Sequence, residues 1–331
     1  MSSREHPVTA QELREMPLAP PVWIVEGMLS TGLHILAGAP KIGKSLLAVN
    51  VALAVGTGAP IWDRKTHKCG VLLLTLEETD DRNQKRLFSM ADEASHCIKF
   101  WTEARTLQTG LMRDLEDEVS ENPDTKLIVI DTFQKIRNPI RDNAYAADYD
   151  DMSILKRFAD EHRIAIIAVH HTRKMPDSDV FATVSGTTGL TGCADSIAVL
   201  AMSSRFSKEA TFSITGRDVE EQELKLKRNG AVWELVERTS QAEIKEREIP
   251  PSVLKILDYM EALGADWEGT ASGLAVQAGV DVKPAILSKY LNQHRFYLEE
   301  RGFEYRRDRN RESRTMSLMR IPRDGCDGND A

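Results

Sequence analysis

The sequence predicts an α/β protein built on a parallel sheet, followed by a smaller and mainly helical module. Over roughly the first two-thirds of the chain, short apolar runs alternate with amphipathic stretches, which is the pattern of strands joined by crossover helices. A glycine-rich loop lies between the first such run and the first helix. After about Thr211 the pattern changes to short strands separated by turn residues, and after Pro250 it becomes helical.

The predicted elements of the first part follow in chain order. The apolar run at 33–36 predicts a strand, and residues 44–55 predict the helix after the glycine-rich loop. The run at 71–76 is continuously apolar, which is typical of a strand buried on both faces of a parallel sheet. Further strands are predicted at 127–130, 164–169 and 196–201, with helices at 80–93, 110–121 and 148–162.

Hairpins and a linker complete the predicted organisation. Strands are predicted at 212–215, 223–228 and 231–237, with turns at Gly216 and Asn229-Gly230. The next segment is charged and has few apolar residues, which predicts a linker. The predicted domains are an N-terminal arm (1–27), an α/β domain (28–238), a charged linker (239–250), a winged-helix module (251–322) and a disordered tail (323–331).

Composition limits the class of protein. The chain has 331 residues, 41% of them hydrophobic, and a net charge of −8, which argues against a uniformly basic nucleic-acid coat. Its four cysteines are far apart and form no C-x-x-C pair, so the sequence indicates neither a zinc site nor a disulfide framework. The N-terminus has no signal-peptide core and no apolar run approaches a membrane span, so a cytoplasmic protein without a membrane segment is expected.

The segment Gly38-Ala39-Pro40-Lys41-Ile42-Gly43-Lys44-Ser45 matches the phosphate-binding pattern G-x-x-x-x-G-K-S, here called the phosphate loop. The pattern is specific when a strand precedes it and a helix follows, as predicted here. Glycines let backbone N–H groups surround a phosphate, and the helix N-terminus adds partial positive charge. We expect Lys44 to reach the β- and γ-phosphates of ATP and Ser45 to bind Mg²⁺, whereas Lys41 is expected to be solvated.

Two acidic strand ends predict the rest of a hydrolytic site. Asp131 ends the apolar run at 127–130 and is the candidate Mg²⁺ residue, because the carboxyl ends of parallel strands converge on a ligand crevice. Glu77 follows the run at 71–76 and is the candidate general base for the attacking water. The alternatives are an N-cap role for Asp131 and helix capping by Glu77 and Glu78.

A third strand end carries two histidines. Residues 168–174 read Ala-Val-His-His-Thr-Arg-Lys, and His170 is the candidate that bonds the γ-phosphate and reports its loss. The alternative is that both His170 and His171 bond local carbonyl groups.

These motifs, in this order, resemble the RecA-like ATPases, and within them the RepA-type hexameric replicative helicases of plasmids and other mobile elements. The resemblance covers roughly residues 21–238. Further stretches similar to that family are 21–29, Leu76-Glu77-Glu78 with Arg82 and Arg86, 184–195, and 214–218.

The resemblance implies a RecA-like P-loop NTPase core, ATP and Mg²⁺ as cofactors, and a hexameric ring with ATP bound between subunits. It implies that Arg217 is an arginine finger that reaches the neighbouring site; the alternative is an exposed hairpin arginine. It also implies a flexible 172–189 stretch lining a channel for single-stranded DNA, with Arg173 and Lys174 contacting phosphates. The alternative is that this pair is merely solvated.

The C-terminal module predicts a winged helix. Helices are predicted at 253–263, 272–278, 284–291 and 295–301, followed by hairpin strands at 302–307 and 314–320. From Lys283 to Arg323 there are 11 basic and 5 acidic residues, which favours contact with DNA phosphates. Winged helices also bind proteins, so that alternative stays open. The candidate DNA contacts are Lys283, Lys289, Arg306, Arg307, Arg309 and Arg314.

The sequence therefore predicts a DNA-stimulated ATPase, most simply a ring helicase that acts in replication of a mobile element. One alternative is a DNA-binding regulator or recombination mediator that uses ATP as an assembly switch and unwinds nothing. Another is a P-loop enzyme that acts on a small molecule, such as a kinase.

Overall fold

The structure is a computed structural model that describes residues 7–15, 22–93, 95–137, 144–173, 177, 179–204, 207–240, 243–244, 249–309 and 314–321. It divides into two compact units, Met1–Gln241 and Ala242–Ala331, and this boundary lies within residues 239–250. The predicted disordered tail at 323–331 lies outside the described residues. No helix in the described part of the chain is both long and apolar enough to cross a membrane.

The first unit is organised around a nine-stranded sheet and a small two-stranded one. The predicted strands are present, with bounds that differ by a few residues. The strands are β1 Trp23–Val25, β2 Leu29–Ser30, β3 Gly32–Gly38, β4 Gly70–Thr75, β5 Ile98–Trp101, β6 Thr125–Asp131, β7 Ala165–Val169, β8 Ser196–Ala201, β9 Glu209–Gly216, β10 Gln222–Asn229 and β11 Val232–Thr239.

The order in the large sheet is β11-β10-β9-β8-β3-β7-β6-β4-β5. The strands from β8 to β5 are mutually parallel, whereas β9, β10 and β11 are antiparallel to their neighbours. The central position of β3 therefore places the phosphate loop in the middle of one sheet edge. The sequence did not predict β5, because this four-residue edge strand is only partly buried and its apolar run is interrupted by Lys99.

The helices of the first unit cover both faces of the sheet. Helix α2 is nearly all apolar and buried along its length, and it ends at Gly58, whose φ of 80° suits glycine. The predicted helix at 148–162 begins four residues earlier, at Ala144. The helices are α1 Ala10–Glu15, α2 Lys44–Thr57, α3 Asp80–Met90, α4 Leu111–Glu121, α5 Phe133–Ile136, α6 Ala144–His162 and α7 Thr188–Cys193, with a 3₁₀ turn at Phe181–Thr183.

The core of this unit consists of two apolar layers, one on each face of the sheet. In β4, Val71 and Leu73 belong to the layer that contains α2, whereas Leu72 and Leu74 belong to the layer that contains α4 and α6. This alternation follows from the two-residue period of a strand, and it explains why the run reads as continuously apolar. The two layers hold the carboxyl ends of β3, β4, β6 and β7 at one edge of the sheet.

The second unit has four helices and a three-stranded antiparallel sheet of order β12-β14-β13 within the described residues. The predicted helices and hairpin are present, and the three-residue strand β12 was not predicted because it is too short for a recognisable pattern. Leu274, Leu287 and Leu318 lie in its core. The elements are α8 Pro251–Leu263, β12 Trp267–Gly269, α9 Ala271–Gln277, α10 Pro284–Gln293, α11 Arg295–Glu300, β13 Phe303–Arg309 and β14 Arg314–Arg320.

Candidate nucleotide-binding site

The phosphate loop connects β3 to α2 and needs glycine at both ends. A Cβ on Gly38 would lie 2.6 Å from the Leu200 carbonyl oxygen. Gly43 has a φ of 102°, and a Cβ there would lie 3.0 Å from the Trp233 ring. Lys41 also has a positive φ, 66°. The backbone therefore turns tightly around the space in front of α2, as a phosphate site requires.

Lys44 lies across this loop. Its Nζ donates to the carbonyl oxygens of Gly38, at 2.8 Å, and Ala39, at 3.0 Å. Burial lowers the pKa of Lys44 to about 8, and the nearby carboxylates of Asp131 and Glu77 act in the opposite direction. The side chain is thus a buried cation that carbonyl groups only partly stabilise, and an anion in the loop would stabilise it further.

Asp131 ends β6 beside the start of α2. Its side chain is buried, and burial raises its pKa, while a hydrogen bond from the Ser45 side chain lowers it and the Glu77 carboxylate raises it. A buried carboxylate next to a hydroxyl provides the hard oxygen ligands that Mg²⁺ prefers. The residues present therefore fit a magnesium ion, with Ser45 and Asp131 as its protein contacts.

The two acids after β4 point to different partners. Thr132 Oγ1 donates to Glu77 Oε1 at 3.2 Å, which holds Glu77 beside the end of β6. Glu78 instead forms ion pairs with Arg86, at 2.5 Å, and Arg82, at 3.4 Å. Glu77 is thus the acid that shares the strand edge with Asp131 and Lys44, and Glu78 anchors α3.

The two histidines after β7 lie in different surroundings. His170 is buried, with its ring edge-on to Phe133 and its Nε2 3.0 Å from the Ser185 carbonyl oxygen. Burial lowers its pKa to about 4. His171 instead places Nδ1 3.4 Å from Lys44 Nζ. After the last residue of β7, the side chain of the predicted candidate His170 turns into the core, and the side chain of His171 turns toward the phosphate loop.

Arg217 follows β9 and lies at the opposite end of the sheet from the phosphate loop. Gly216 pairs with Ser196 at the amino end of β8, whereas Gly38 pairs with Leu200 near its carboxyl end. At a rise of about 3.3 Å per residue, the two ends are roughly 13 Å apart along the strand. The Arg217 side chain is exposed (63%) and lies 3.9 Å from Asp195 Oδ1.

The segment expected to be a flexible channel loop is partly ordered by hydrogen bonds. Thr172 forms a β-bridge with Val184, and Asp148 Oδ2 accepts hydrogen bonds from both N and Oγ1 of Thr187. Arg173 forms an ion pair with Asp177 at 2.8 Å, so it is not a free cation. Lys174 lies outside the described residues.

The candidate DNA residues of the second unit lie on three elements, α10, β13 and β14. Lys283 and Lys289 are exposed at the start and on the surface of α10. On β13, Arg306 and Arg307 are exposed, and Arg306 forms an ion pair with Glu304 at 2.8 Å. Arg309 and Arg314 lie in β13 and β14, but their side chains are outside the described part of the structure.

Trp233 on β11 belongs to the site's surroundings and was not predicted. Its Nε1 donates to the Gly43 carbonyl oxygen at 3.2 Å, and its backbone N donates to Asn50 Oδ1 at 2.8 Å. It therefore fixes the end of the phosphate loop from 190 residues along the chain. Nothing in its local sequence indicates this contact, because only the antiparallel extension of the sheet brings β11 over α2.

A parallel sheet with a phosphate loop after its central strand β3 and acids at the carboxyl ends of β6 and β4 defines a P-loop nucleotide-binding protein with a RecA-like core. The chain belongs to the AAA domain family known as AAA_25, whose model matches residues 2–177.

Solved structures share the fold. One of them, a DnaB-like replicative helicase described with its interactions with primase, superposes with a TM-score of 0.52 at 17% identity. The match covers 62% of this chain and 58% of that chain, so this protein spans little more than half of its length. At this identity the match shows a common fold. No curated protein sequence matches the chain.

Proposed function

We propose that this protein is an ATP-hydrolysing, DNA-stimulated helicase of the RepA type that works as a hexameric ring in replication of a plasmid or other mobile element. The observation that carries the proposal is the convergence of Lys44, Ser45, Asp131 and Glu77 at one strand edge, with Arg217 exposed at the opposite edge. In this proposal Arg217 acts on the nucleotide site of a second subunit, because it lies at the other end of the sheet from its own phosphate loop.

The chain's own residues account for binding and hydrolysis. The phosphate loop binds the triphosphate through backbone N–H groups, and Lys44 exchanges its carbonyl partners for the β- and γ-phosphates. Ser45 and Asp131 would hold Mg²⁺, which when bound would supply positive charge next to the phosphates. Glu77 is exposed and takes a proton from the attacking water, whose oxygen bonds to the γ-phosphorus while the bond to the ADP oxygen breaks.

His171 is proposed to bond the γ-phosphate, and His170 to be structural. His171→Ala should lower the turnover number about tenfold, the value of one hydrogen bond to a charged group, without changing stability. His170→Ala should instead lower the free energy of unfolding by about 2–3 kcal/mol, because it removes buried ring packing and the Ser185 contact. Steady-state kinetics and urea unfolding separate these outcomes, and equal effects of both changes would contradict the assignment.

The buried carboxylate of Asp131 is proposed to lower the stability of the metal-free protein and to bind Mg²⁺. Because its pKa is raised in the folded protein, the native state keeps this proton more tightly than the unfolded chain does. The Asp131 carboxyl therefore adds to the free energy of unfolding below the pKa it has in the unfolded chain. This contribution is lost as pH rises through the pKa it has in the folded protein. At pH 7.5, without nucleotide or Mg²⁺, Asp131→Asn should therefore melt at a higher temperature than the parent protein. Its Mg²⁺-dependent hydrolysis should fall by on the order of 100-fold. A lower melting temperature would contradict the role of burial.

The second unit is proposed to be a winged helix that binds double-stranded DNA, with α9 and α10 as helix-turn-helix and β13–β14 as the wing. Supporting this, Lys283, Lys289 and Arg307 are exposed and form no ion pair within the described residues. The combined change of all three to Ala should lower the slope of log affinity against log salt by about 2–3. Arg306→Ala should matter less, because Glu304 already pairs with it. Fluorescence anisotropy over a salt series measures both, and an unchanged slope in the triple variant would contradict a DNA-binding role.

Strand displacement on a forked duplex separates the helicase from its main alternative. The proposal expects ATP-dependent unwinding by the assembled protein. If assembled protein hydrolyses ATP but never displaces a strand, it is an ATP-switched regulator or recombination mediator. A small-molecule P-loop enzyme would differ from both, since its turnover would not respond to single-stranded DNA.

A further inference from the structure

The exposed face of helix α10 carries two side-chain amides and one positive charge. Leu287, Ser288 and Leu291 of this helix are buried. At 3.6 residues per turn, the residues opposite them lie within an arc of about 120° centred on Lys289. All of them are exposed: Ala285, Ile286, Lys289, Asn292 and Gln293. The polar ends of the last three form no hydrogen bond or ion pair within the described part of the chain.

Helix α9 supports α10 from the inner side. The turn between the two helices contains Gly279, whose φ of 64° suits glycine. In the same turn, Val280 N donates to the Ala275 carbonyl oxygen at 2.8 Å. Leu274 of α9 and Leu287 of α10 lie in one core. Two helices joined by a short turn, with the second exposed on its outer side, have helix-turn-helix geometry, and the core fixes the orientation of the outer face.

The charge around this face favours the approach of a polyanion. Residues 270–294 contain Lys283 and Lys289 and one acid, Asp281, which lies in the turn. Helices α8 and α11 instead each carry a net negative charge, so a polyanion is attracted to α10 rather than to them. An excess of one charge neutralises far fewer phosphates than duplex binding requires. The face therefore contributes to binding through contacts other than charge.

The side chains of this face are of the types that read base edges. An amide offers a donor and an acceptor together, so Asn292 or Gln293 can bond both N6 and N7 of an adenine in the major groove. Ala285 and Ile286 add apolar groups, which suit the thymine methyl. A helix about 10–12 Å in diameter fits the major groove of B-DNA, which is about 12 Å wide. None of the five exposed residues is aromatic or arginine, the types enriched at the centre of protein interfaces.

We propose that α10 reads the sequence of duplex DNA at A·T base pairs, with Asn292 and Gln293 bonding adenine and Ala285 and Ile286 contacting thymine methyl groups. This inference rests on the proposed function, since it assumes that the second unit binds duplex DNA. It adds that the binding is sequence-specific. The protein should then bind a preferred duplex at least roughly 1,000-fold more tightly than a duplex of unrelated sequence.

The test starts with selection by the full chain, without nucleotide, from a duplex library with a randomised central stretch. Fluorescence anisotropy then compares the selected duplex with a scrambled duplex of the same composition. The Asn292→Ala/Gln293→Ala variant should bind the selected duplex at least about tenfold more weakly, because each bidentate contact to a base is lost. Its affinity for the scrambled duplex and its salt slope should not change, since both residues are uncharged.

Alanine favours a helix, so α10 should remain folded in this variant. The matched control is Gln84→Ala, which removes an exposed amide from α3 of the first unit and should bind both duplexes like the parent protein. Duplex RNA of the selected sequence should compete no better than scrambled DNA, because the narrow major groove of A-form RNA does not admit side chains.

Selection that enriches no sequence would overturn the inference, and so would a double variant that loses affinity equally for both duplexes. Competition by the duplex RNA as strong as that by the selected DNA would also contradict it. The proposed function fails differently. Salt-sensitive binding without sequence preference leaves the DNA-binding role of the second unit standing and removes the inference alone. If the full chain binds no duplex at all, that role falls as well.

Discussion

Lys44→Ala should reduce ATP hydrolysis by on the order of 100- to 1,000-fold, as expected when a charged donor aimed at the transferred phosphate is removed. The Lys44 ammonium is buried, bonds two loop carbonyl groups and lies near both Asp131 and Glu77. Of the other cations described at this edge, Arg86 is paired with Glu78 and Lys41 is exposed, so Lys44 is the buried cation of the phosphate loop. The measurement is steady-state phosphate release.

Lys68→Ala is the matched control for this change. Lys68 is exposed just before β4, at the amino end of the strands, so its removal takes away a positive charge without touching the site. Its turnover should equal that of the parent protein. A Lys44→Ala variant that keeps normal turnover would refute the phosphate-site assignment, whatever the control does.

Arg217→Ala should leave nucleotide binding intact but lower turnover by at least about 1,000-fold, the lower end of the range for the loss of an arginine finger. Glu77→Gln should be similarly slow, because it removes the base from the other half of the site. Mixed in equal amounts, the two inactive proteins should recover about a quarter of the parent turnover, since random assembly places an intact Glu77 next to an intact Arg217 at one site in four. Titrating one variant into the other measures this recovery.

The controls for this mixing experiment are each variant titrated into itself and a mixture of Arg217→Ala with Lys44→Ala. The second mixture should also recover activity, because those two changes again lie on opposite edges of the sheet. A mixture of Lys44→Ala with Glu77→Gln should not recover activity, since both changes damage the same half of the shared nucleotide site. Recovery in that last mixture, or none in the first two, would argue against a site shared between subunits.

Much of the fold could be predicted because a strand that is buried on both faces of a sheet has apolar residues at consecutive positions. The segments 71–74 of β4, 127–130 of β6 and 165–169 of β7 are apolar at every position for that reason. Strands such as β5 and β12 escaped prediction because they are three or four residues long and partly exposed. The antiparallel order of β9, β10 and β11 followed from turn residues, but their placement over α2 depends on long-range packing.

The position of Asp131 next to the phosphate loop could be predicted, because it is the one carboxylate at the end of its strand. The prediction was ambiguous where two equivalent residues follow each other. At Glu77-Glu78 the first residue turned to the site, whereas at His170-His171 the second did. The strand pleat and the path of the following loop decide which side chain faces the crevice. Neither can be predicted from the identity of two adjacent residues. Trp233 could not be predicted at all, since its contact with Gly43 spans 190 residues.

The central claim is that ATP is hydrolysed at this strand edge and that DNA controls the rate. The direct measurement is Mg²⁺-dependent phosphate release by the assembled protein, with and without single-stranded DNA, and with Lys44→Ala protein as the background. The account predicts release well above that background and a further increase, of severalfold or more, when DNA is added. Release no faster than that of Lys44→Ala protein, or a rate indifferent to DNA at every protein concentration, would contradict it.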